Sequence, residues 1–127
     1  LSKKKFNAAR FFFFFWLKSE DKMPNVYCYN GSLTNLKLKV LFYVHGGSFI
    51  ENIISFQLKF AMRIAKKSDS TLIVPTYTLL PNGNYKKMYE TMYPIYKSLA
   101  CKNINLLGDS AGGGFILSFS MFLKEKN

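Results

Sequence analysis

A serine near the end of the sequence stands among glycines in the run INLLGDSAGGGF, from Ile104 to Phe115. An apolar, strand-like run precedes Ser110, and a helix-like run follows it. Gly108 and Gly112 allow the tight strand-to-helix turn that exposes a hydroxyl in strained backbone geometry. The pattern predicts that Ser110 is a nucleophile, and a serine nucleophile needs a base.

The one histidine of the sequence, His45, lies in a second glycine motif, YVHGGSF. Gly46 and Gly47 follow a strand-like run of β-branched and aromatic residues. Acyl transfer needs backbone N–H donors for the developing oxyanion, and glycines let the main chain approach the substrate closely. The motif therefore predicts an oxyanion loop, with an ordinary strand-ending turn as the alternative.

The elements that must position these motifs alternate along the chain. Continuous apolar runs predict buried strands at 37–44, 71–77 and 104–107. Helical periodicity predicts a helix that begins with Ser55 as its N-cap, a helix over 85–99 that Pro94 should kink, and a helix over 111–124. This alternation predicts an α/β fold with a mostly parallel sheet and flanking helices, whose chemistry lies at the carboxyl ends of the strands.

Composition narrows the function classes. The net charge is +11, but lysines greatly outnumber arginines and are scattered, which indicates a compositional bias and not a nucleic-acid site. Cys28 and Cys101 form no disulfide framework and no metal-ligand cluster, so we predict no metal and favour a reducing, cytoplasmic compartment. Nothing in the sequence indicates an oligomeric state.

Residues 1–36 are predicted to form a basic and aromatic N-terminal segment, separate from a domain over 37–127. Its apolar run, Phe11 to Leu17, is too short to span a bilayer. Three interpretations stay open: a buried or capping helix over the domain, a peripheral membrane anchor, and a damaged signal peptide or mistranslated sequence. The first residue is Leu and not Met, which suggests that the true start lies upstream.

Both glycine motifs resemble those of the α/β-hydrolase fold, specifically the branch similar to hormone-sensitive lipase and bacterial acetyl esterases. The family pattern His-Gly-Gly-Gly matches 45–47, with Ser48 in place of the third glycine. The family pattern Gly-Asp-Ser-Ala-Gly-Gly is complete over 108–113. The resemblance covers about 37–124.

A third motif, PTYTLLP, supports the resemblance and also departs from it. Tyr77, Leu79 and Pro81 match the family's Tyr-x-Leu-x-Pro. The arginine and glutamate that are usual in this pattern are Thr78 and Asn82 here.

The resemblance implies hydrolysis of a small-molecule carboxylic ester without a metal or an organic cofactor. Ser110 would attack the carbonyl carbon, and the resulting acyl-enzyme would then be hydrolysed. His45 would support the oxyanion loop and would not be the base. Backbone N–H groups would hold the oxyanion, and these belong to Gly46, Gly47 or Ser48, and Ala111.

The base is missing from this sequence. In this fold the triad runs from Ser to Asp or Glu and then to His. Glu125 is the only acid after Ser110, and no histidine follows it. We therefore expect the N-terminal half of an esterase whose C-terminal strands are missing, with little turnover as given. Two alternatives remain, an inactive binding module or relic of the same fold and a basic, membrane-peripheral protein.

Overall fold

A computed structural model describes residues 26–100 and 103–126, which form a four-stranded sheet with three helices. All six predicted elements are present, and their ends lie within a few residues of the predicted bounds. In chain order the elements are β1 (Val26–Tyr29), β2 (Lys39–Val44), α1 (Ser55–Lys67), β3 (Ser70–Pro75), α2 (Tyr85–Ser98), β4 (Asn103–Gly108) and α3 (Ala111–Lys126).

The sheet is mostly parallel, as predicted, and its strand order is β1-β3-β2-β4. Strand β2 pairs in parallel with β3 and with β4, so the carboxyl ends of these strands meet at one edge. Strand β1 pairs antiparallel with β3, and Cys28 lies opposite Ile73. This strand was not predicted, and it lies within the range that the sequence assigns to the N-terminal segment.

Strand β2 explains why its sequence is a continuous apolar run. Val40, Phe42 and Val44 face a core formed with α2 and α3. Leu41 and Tyr43 face a second core, which α1 covers. A parallel strand with helices on both faces buries every side chain, so no polar alternation appears.

Helix α1 begins differently from the prediction. Ser55 is the first helical residue and not the N-cap, because Ile54 holds the extended cap position. The Ile54 N–H donates to Gln57 Oε1 at 3.0 Å, which satisfies a backbone donor ahead of the helix.

The other two helices pack beside each other on the second face of the sheet. Helix α2 is capped by Asn84, whose side chain accepts from the N–H of Lys87 at 3.0 Å, and it continues through Pro94 to Ser98. Helix α3 buries Phe115 and Phe119 against the sheet and α2.

None of the helices in the described ranges is long and apolar enough to cross a membrane. Phe11 to Leu17, the segment predicted to contact a membrane or to cap the domain, lies outside these ranges.

Candidate active site

Ser110 occupies a sharp turn between the last residue of β4 and the first residue of α3. Its φ is +49°, a left-handed backbone conformation that residues other than glycine rarely adopt. Its side chain is exposed, and its hydroxyl has no hydrogen-bond partner among residues 26–100 and 103–126. A strained, exposed serine at the carboxyl end of a parallel strand is the geometry expected of a nucleophile.

The glycines around the serine are required by close backbone contacts. A Cβ atom at Gly108 would lie 2.4 Å from the carbonyl oxygen of Gly112. A Cβ atom at Gly112 would lie 2.1 Å from the carbonyl oxygen of Val44, at the end of β2. These glycines therefore let α3 start directly against both β4 and β2.

The N-terminus of α3 offers a free donor beside the serine. The N–H groups of Gly113 and Gly114 donate to the carbonyl oxygens of Asp109 and Ser110, each at 3.2 Å. The N–H of Ala111 has no partner within the part of the chain that the structure describes. This N–H group therefore lies unpaired at the positive end of the helix dipole, which is where an oxyanion donor is expected.

The loop after β2 lies directly against the serine. A Cβ atom at Gly46 would lie 2.9 Å from the Cβ of Ser110, so only a glycine allows this approach. Gly47, Ser48 and Phe49 follow with φ of +125°, +54° and +63°. The N–H groups of Gly47 and Ser48 also have no partner in the described ranges, which leaves them available to an oxyanion.

Two hydrogen bonds close the loop into a turn. The N–H groups of Ile50 and Glu51 both donate to the carbonyl oxygen of Gly47 at 3.0 Å. Non-glycine residues in left-handed conformations cost on the order of 1–3 kcal/mol each, so the surrounding contacts must hold Ser48 and Phe49 in place. Ser48, which replaces the family's third glycine, keeps the backbone N–H at the expense of this strain.

The carboxylate of Asp109 joins the serine turn to the loop and to α1. Its Oδ1 accepts from the Tyr43 hydroxyl and from the N–H of Gly46, the latter at 3.0 Å. Its Oδ2 accepts from Gln57 Nε2 at 3.1 Å, and the same amide reaches the Gly46 carbonyl oxygen at 3.4 Å. Burial acts to raise the pKa of Asp109, but these hydrogen bonds outweigh it and lower the pKa below its ordinary value.

The bond between Gly46 and Asp109 revises the predicted donor set. Gly46 has one N–H, and Asp109 occupies it. The predicted role of Gly46 as an oxyanion donor stays a prediction, and this bond counts against it. Among the residues that the structure describes, the N–H groups of Gly47, Ser48 and Ala111 are unpaired and belong to the loop and the turn at Ser110.

His45 is fully buried at the end of β2, in a position that suits loop support. Its Nδ1 lies 2.7 Å from the carbonyl oxygen of Gly46, which can only accept, so Nδ1 carries the proton. The ring stacks on Tyr77 with 4.6 Å between centroids, and the Tyr77 hydroxyl donates to the His45 carbonyl oxygen at 2.7 Å. Burial lowers the pKa of His45, so the ring is neutral near pH 7.

Sequence reasoning missed Tyr43 and Gln57, the two side chains that hold Asp109. Tyr43 lies within an apolar run and looks like a core residue. Gln57 lies where a side chain can reach back to the start of a helix, as it does to Ile54. That spacing could have identified Gln57 as a capping residue, but not its bond to Asp109.

A cavity of about 590 Å³ opens beside Ala111. The loop after β2, the turn after β3, and helices α2 and α3 form its walls, which are mainly apolar. Six of the lining residues are Phe49, Leu80, Met88, Tyr89, Ala111 and Phe115.

The structure offers no evident metal site within its described ranges, where no three His, Cys, Asp or Glu side chains cluster. Cys28 is a buried free thiol in β1, and burial raises its pKa to about 11. The other cysteine of the sequence, Cys101, lies outside the described residues.

The fold defines the class: this chain has a partial α/β-hydrolase fold, and the solved structures that it matches are esterases and a lipase. A crystal structure of a hormone-sensitive lipase from a metagenome library superposes with a TM-score of 0.65 at 26% sequence identity, covering 81% of this chain and 36% of that one. A sequence model of the steryl acetyl hydrolase family matches residues 17–127. The chain belongs to that family, and the predicted resemblance is confirmed.

Two curated relatives are similar to much of the chain. Vegetative-specific protein H5 of Dictyostelium discoideum is 33% identical over 102 residues, which are 72% of this chain and 29% of that protein. Steryl acetyl hydrolase 1 of Saccharomyces cerevisiae is 25% identical over 95 residues, which are 68% of this chain and 22% of that protein. The chain thus spans less than a third of the length of either relative.

Proposed function

We propose that this chain carries the nucleophile and the oxyanion donors of a serine carboxylic-ester hydrolase. The observation that carries the proposal is the left-handed backbone of Ser110, which lies directly against the loop of unpaired N–H groups after β2. Such a turn is costly unless it has a use, and acyl transfer uses an exposed serine beside fixed donors.

The arrangement supports a two-step reaction. The Oγ of Ser110 bonds to the ester carbonyl carbon, and the N–H groups of Gly47, Ser48 and Ala111 stabilise the negative oxygen of the tetrahedral intermediate. The intermediate collapses as the alcohol leaves with a proton, and water then attacks the acyl-enzyme and releases the acid. Gly46 allows the loop to approach Ser110 because it has no side chain, and its N–H is bonded to Asp109 and does not donate to the substrate.

The proton in this reaction needs a base that His45 does not provide. Its ring is buried, its Nδ1 proton is committed to Gly46, and it stacks on Tyr77, whereas the Ser110 side chain is exposed. Within the 127 residues no other histidine exists. We infer that the acid and the base of the triad are supplied from outside these residues, in the order that this fold uses.

The substrate class that we propose is a small-molecule carboxylic ester. The matched family and the yeast relative are named for hydrolysis of steryl acetyl groups, so acetyl esters are the first to test. A serine mechanism of this kind uses no organic cofactor and no metal.

Labelling of the serine tests the proposal directly. A fluorophosphonate should modify Ser110 slowly in the 127-residue chain, and added imidazole should accelerate the reaction by acting as a base from solution. Intact mass and peptide mapping locate the adduct. Ser110→Ala should abolish it, whereas Ser120→Ala, a matched change of an exposed serine on α3, should not.

Equal labelling of Ser110 and Ser120, or labelling that survives Ser110→Ala, would contradict the assignment. An ester analogue that binds saturably while Ser110 stays unlabelled with imidazole present would favour the second candidate, a binding module of the same fold. The absence of a base among these residues is the observation that favours that candidate.

The native transcript tests where the base resides. An open reading frame beyond Asn127 that encodes an Asp or Glu and then a His would place the triad in one polypeptide. A stop codon at that point would remove the base from the chain and favour the binding module or a relic.

Membrane contact through Phe11 to Leu17 is a separate proposal that rests on composition alone. It predicts co-sedimentation with liposomes that disappears when residues 1–22 are deleted. Binding that is unchanged by the deletion would argue against this segment as the anchor.

A further inference from the structure

We propose that the cavity beside Ala111 holds the acyl chain of the ester, and that Gly114 sets the chain length that the cavity accepts. This inference rests on the proposed function, because it takes the carbonyl carbon to lie on Ser110. It goes beyond that function because the volume of about 590 Å³ is far larger than an acetyl group requires.

The walls of the cavity suit a hydrocarbon. Leu80, Met88 and Phe115 supply apolar surface, and polar residues such as Thr78 and Ser118 are in the minority. Ligand sites in proteins commonly enclose roughly 300–1,000 Å³ with mainly apolar walls. The cavity therefore has the size and the chemistry of a site for a flexible apolar chain.

Ala111 connects the cavity to the reaction. Its N–H is one of the unpaired donors, it follows Ser110 directly in the chain, and it lines the cavity. An ester carbon bonded to Ser110 would therefore lie at the edge of the cavity. The acyl group stays on the serine through both chemical steps, whereas the alcohol leaves after the first, so a cavity between α2 and α3 suits the group that is retained.

The three consecutive glycines at the start of α3 differ in what requires them. A Cβ atom at Gly112 would collide with the backbone of β2 at 2.1 Å, and one at Gly113 would lie 3.2 Å from the carbonyl oxygen of Gly108. A Cβ atom at Gly114 would meet nothing within 4 Å. Neither a tight contact nor a positive φ requires glycine at position 114. Glycine nevertheless stands there, although it weakens a helix relative to alanine.

The space at Gly114 belongs to the cavity, since Gly114 is one of the lining residues. A side chain there would project into the volume that an acyl chain would fill. Gly114 is thus a position at which a substitution should shorten the cavity with little disturbance of the fold.

Binding of straight-chain alkanoates, from acetate to decanoate, tests the inference without turnover. An alkanoate is the acid product of the reaction, so its chain should lie where the acyl chain lies and its carboxylate should meet the oxyanion donors. Calorimetry should show affinity rising by up to about fourfold per methylene until the cavity is full.

Gly114→Leu should leave acetate and propionate unchanged and weaken the longest chains by roughly tenfold to a hundredfold, because leucine takes the volume of several methylenes. Gly114→Ala, which has room to fold, should give a smaller change of the same kind. Ser120→Leu adds the same side chain to an exposed position of α3 outside the cavity and should leave the whole series unchanged. Circular dichroism confirms that each variant is folded.

Wild-type affinity that does not depend on chain length, or a length dependence that Gly114→Leu leaves unchanged, would overturn the inference. A Gly114-dependent length limit for straight-chain alcohols instead of alkanoates would also overturn it, by assigning the cavity to the alcohol. Neither result depends on the reactivity of Ser110, so alkanoate binding can fail while fluorophosphonate labelling succeeds, and the reverse.

Discussion

Alanine at Gly112 and alanine at Gly114 should change the stability of the fold in opposite directions, although the two residues lie in the same turn of α3. The new Cβ atom at Gly112 would lie 2.1 Å from the carbonyl oxygen of Val44 and 2.8 Å from the carbonyl carbon and oxygen of His45. Real Cβ atoms are essentially never closer than 3.0 Å to such atoms, so α3 and β2 must separate by about 0.9 Å. Both contacts are with backbone, and no flexible side chain can move aside.

The magnitude follows from the cost of overpacking. Extra methyl groups in a packed core typically cost about 1–3 kcal/mol, and a contact between backbone atoms lies at the upper end, so we expect Gly112→Ala to cost about 3 kcal/mol. Gly114→Ala meets nothing and replaces a helical glycine, so it should stabilise by about 0.5–1 kcal/mol. Small domains are stable by only about 5–15 kcal/mol, so the first change is a large fraction of the total.

Urea unfolding followed by far-ultraviolet circular dichroism measures both changes. With a slope of about 1–2 kcal/mol per molar, the midpoint should fall by roughly 1.5–3 M for Gly112→Ala and rise by roughly 0.3–1 M for Gly114→Ala. A Gly112→Ala variant with wild-type stability would refute the prediction, because a Cβ atom cannot fit where α3 approaches β2 this closely. Destabilisation by both variants to the same extent would refute it as well.

Three other measurements follow from the titrating groups. Burial acts to raise the pKa of Asp109, but the hydrogen bonds to its carboxylate outweigh burial and lower the pKa below 3.8. The stability that the charged carboxylate contributes is therefore present above pH 3.8 and is lost as the pH falls below that value. The urea midpoint of Asp109→Asn should therefore vary less than that of the wild type between about pH 5 and about pH 2. Burial, with the charge of Asp109 adding to it, raises the pKa of Tyr77 from 10.0 to about 12, so its contribution is intact below pH 10 and is lost as pH rises through 12. Tyr77→Phe should reduce the alkaline loss of stability, to which Tyr43 also contributes because burial raises its pKa too, and an unchanged alkaline limb would contradict this. Cys28 is buried with its pKa raised to about 11, so peptide mapping should find it unreactive to iodoacetamide near pH 8 until urea unfolds the chain.

Much of the fold could be predicted because its signals are local. The apolar run of β2 reflects burial on both faces, and the glycine spacing around Ser110 reflects a turn that a few consecutive residues build. Strand β1 escaped prediction because it has only four residues, VYCY, and its place in the sheet depends on pairing with β3 much later in the chain. Short strands carry too little periodicity to be recognised without their partner.

The candidate site divides in the same way. Ser110, His45 and the glycines could be proposed from motif and order, since each motif marks the end of a predicted strand. The partner of the Gly46 N–H could not be proposed in this way, because Asp109, which accepts from it, is 63 residues away in the sequence. Tyr43 and Gln57 looked like ordinary core and capping residues until the fold brought them to the same carboxylate.

The sequence by itself determined the strand-helix alternation, the serine turn and the loop of glycines, because burial periodicity and backbone strain are properties of neighbouring residues. The tertiary structure alone decided which N–H groups remain unpaired, which side chains hold Asp109, and that the space at Gly114 opens into a cavity. These outcomes depend on the register of β2 with β4 and on the approach of α3 to β2, and hydrogen-bond partners and empty volume exist only once those elements have packed.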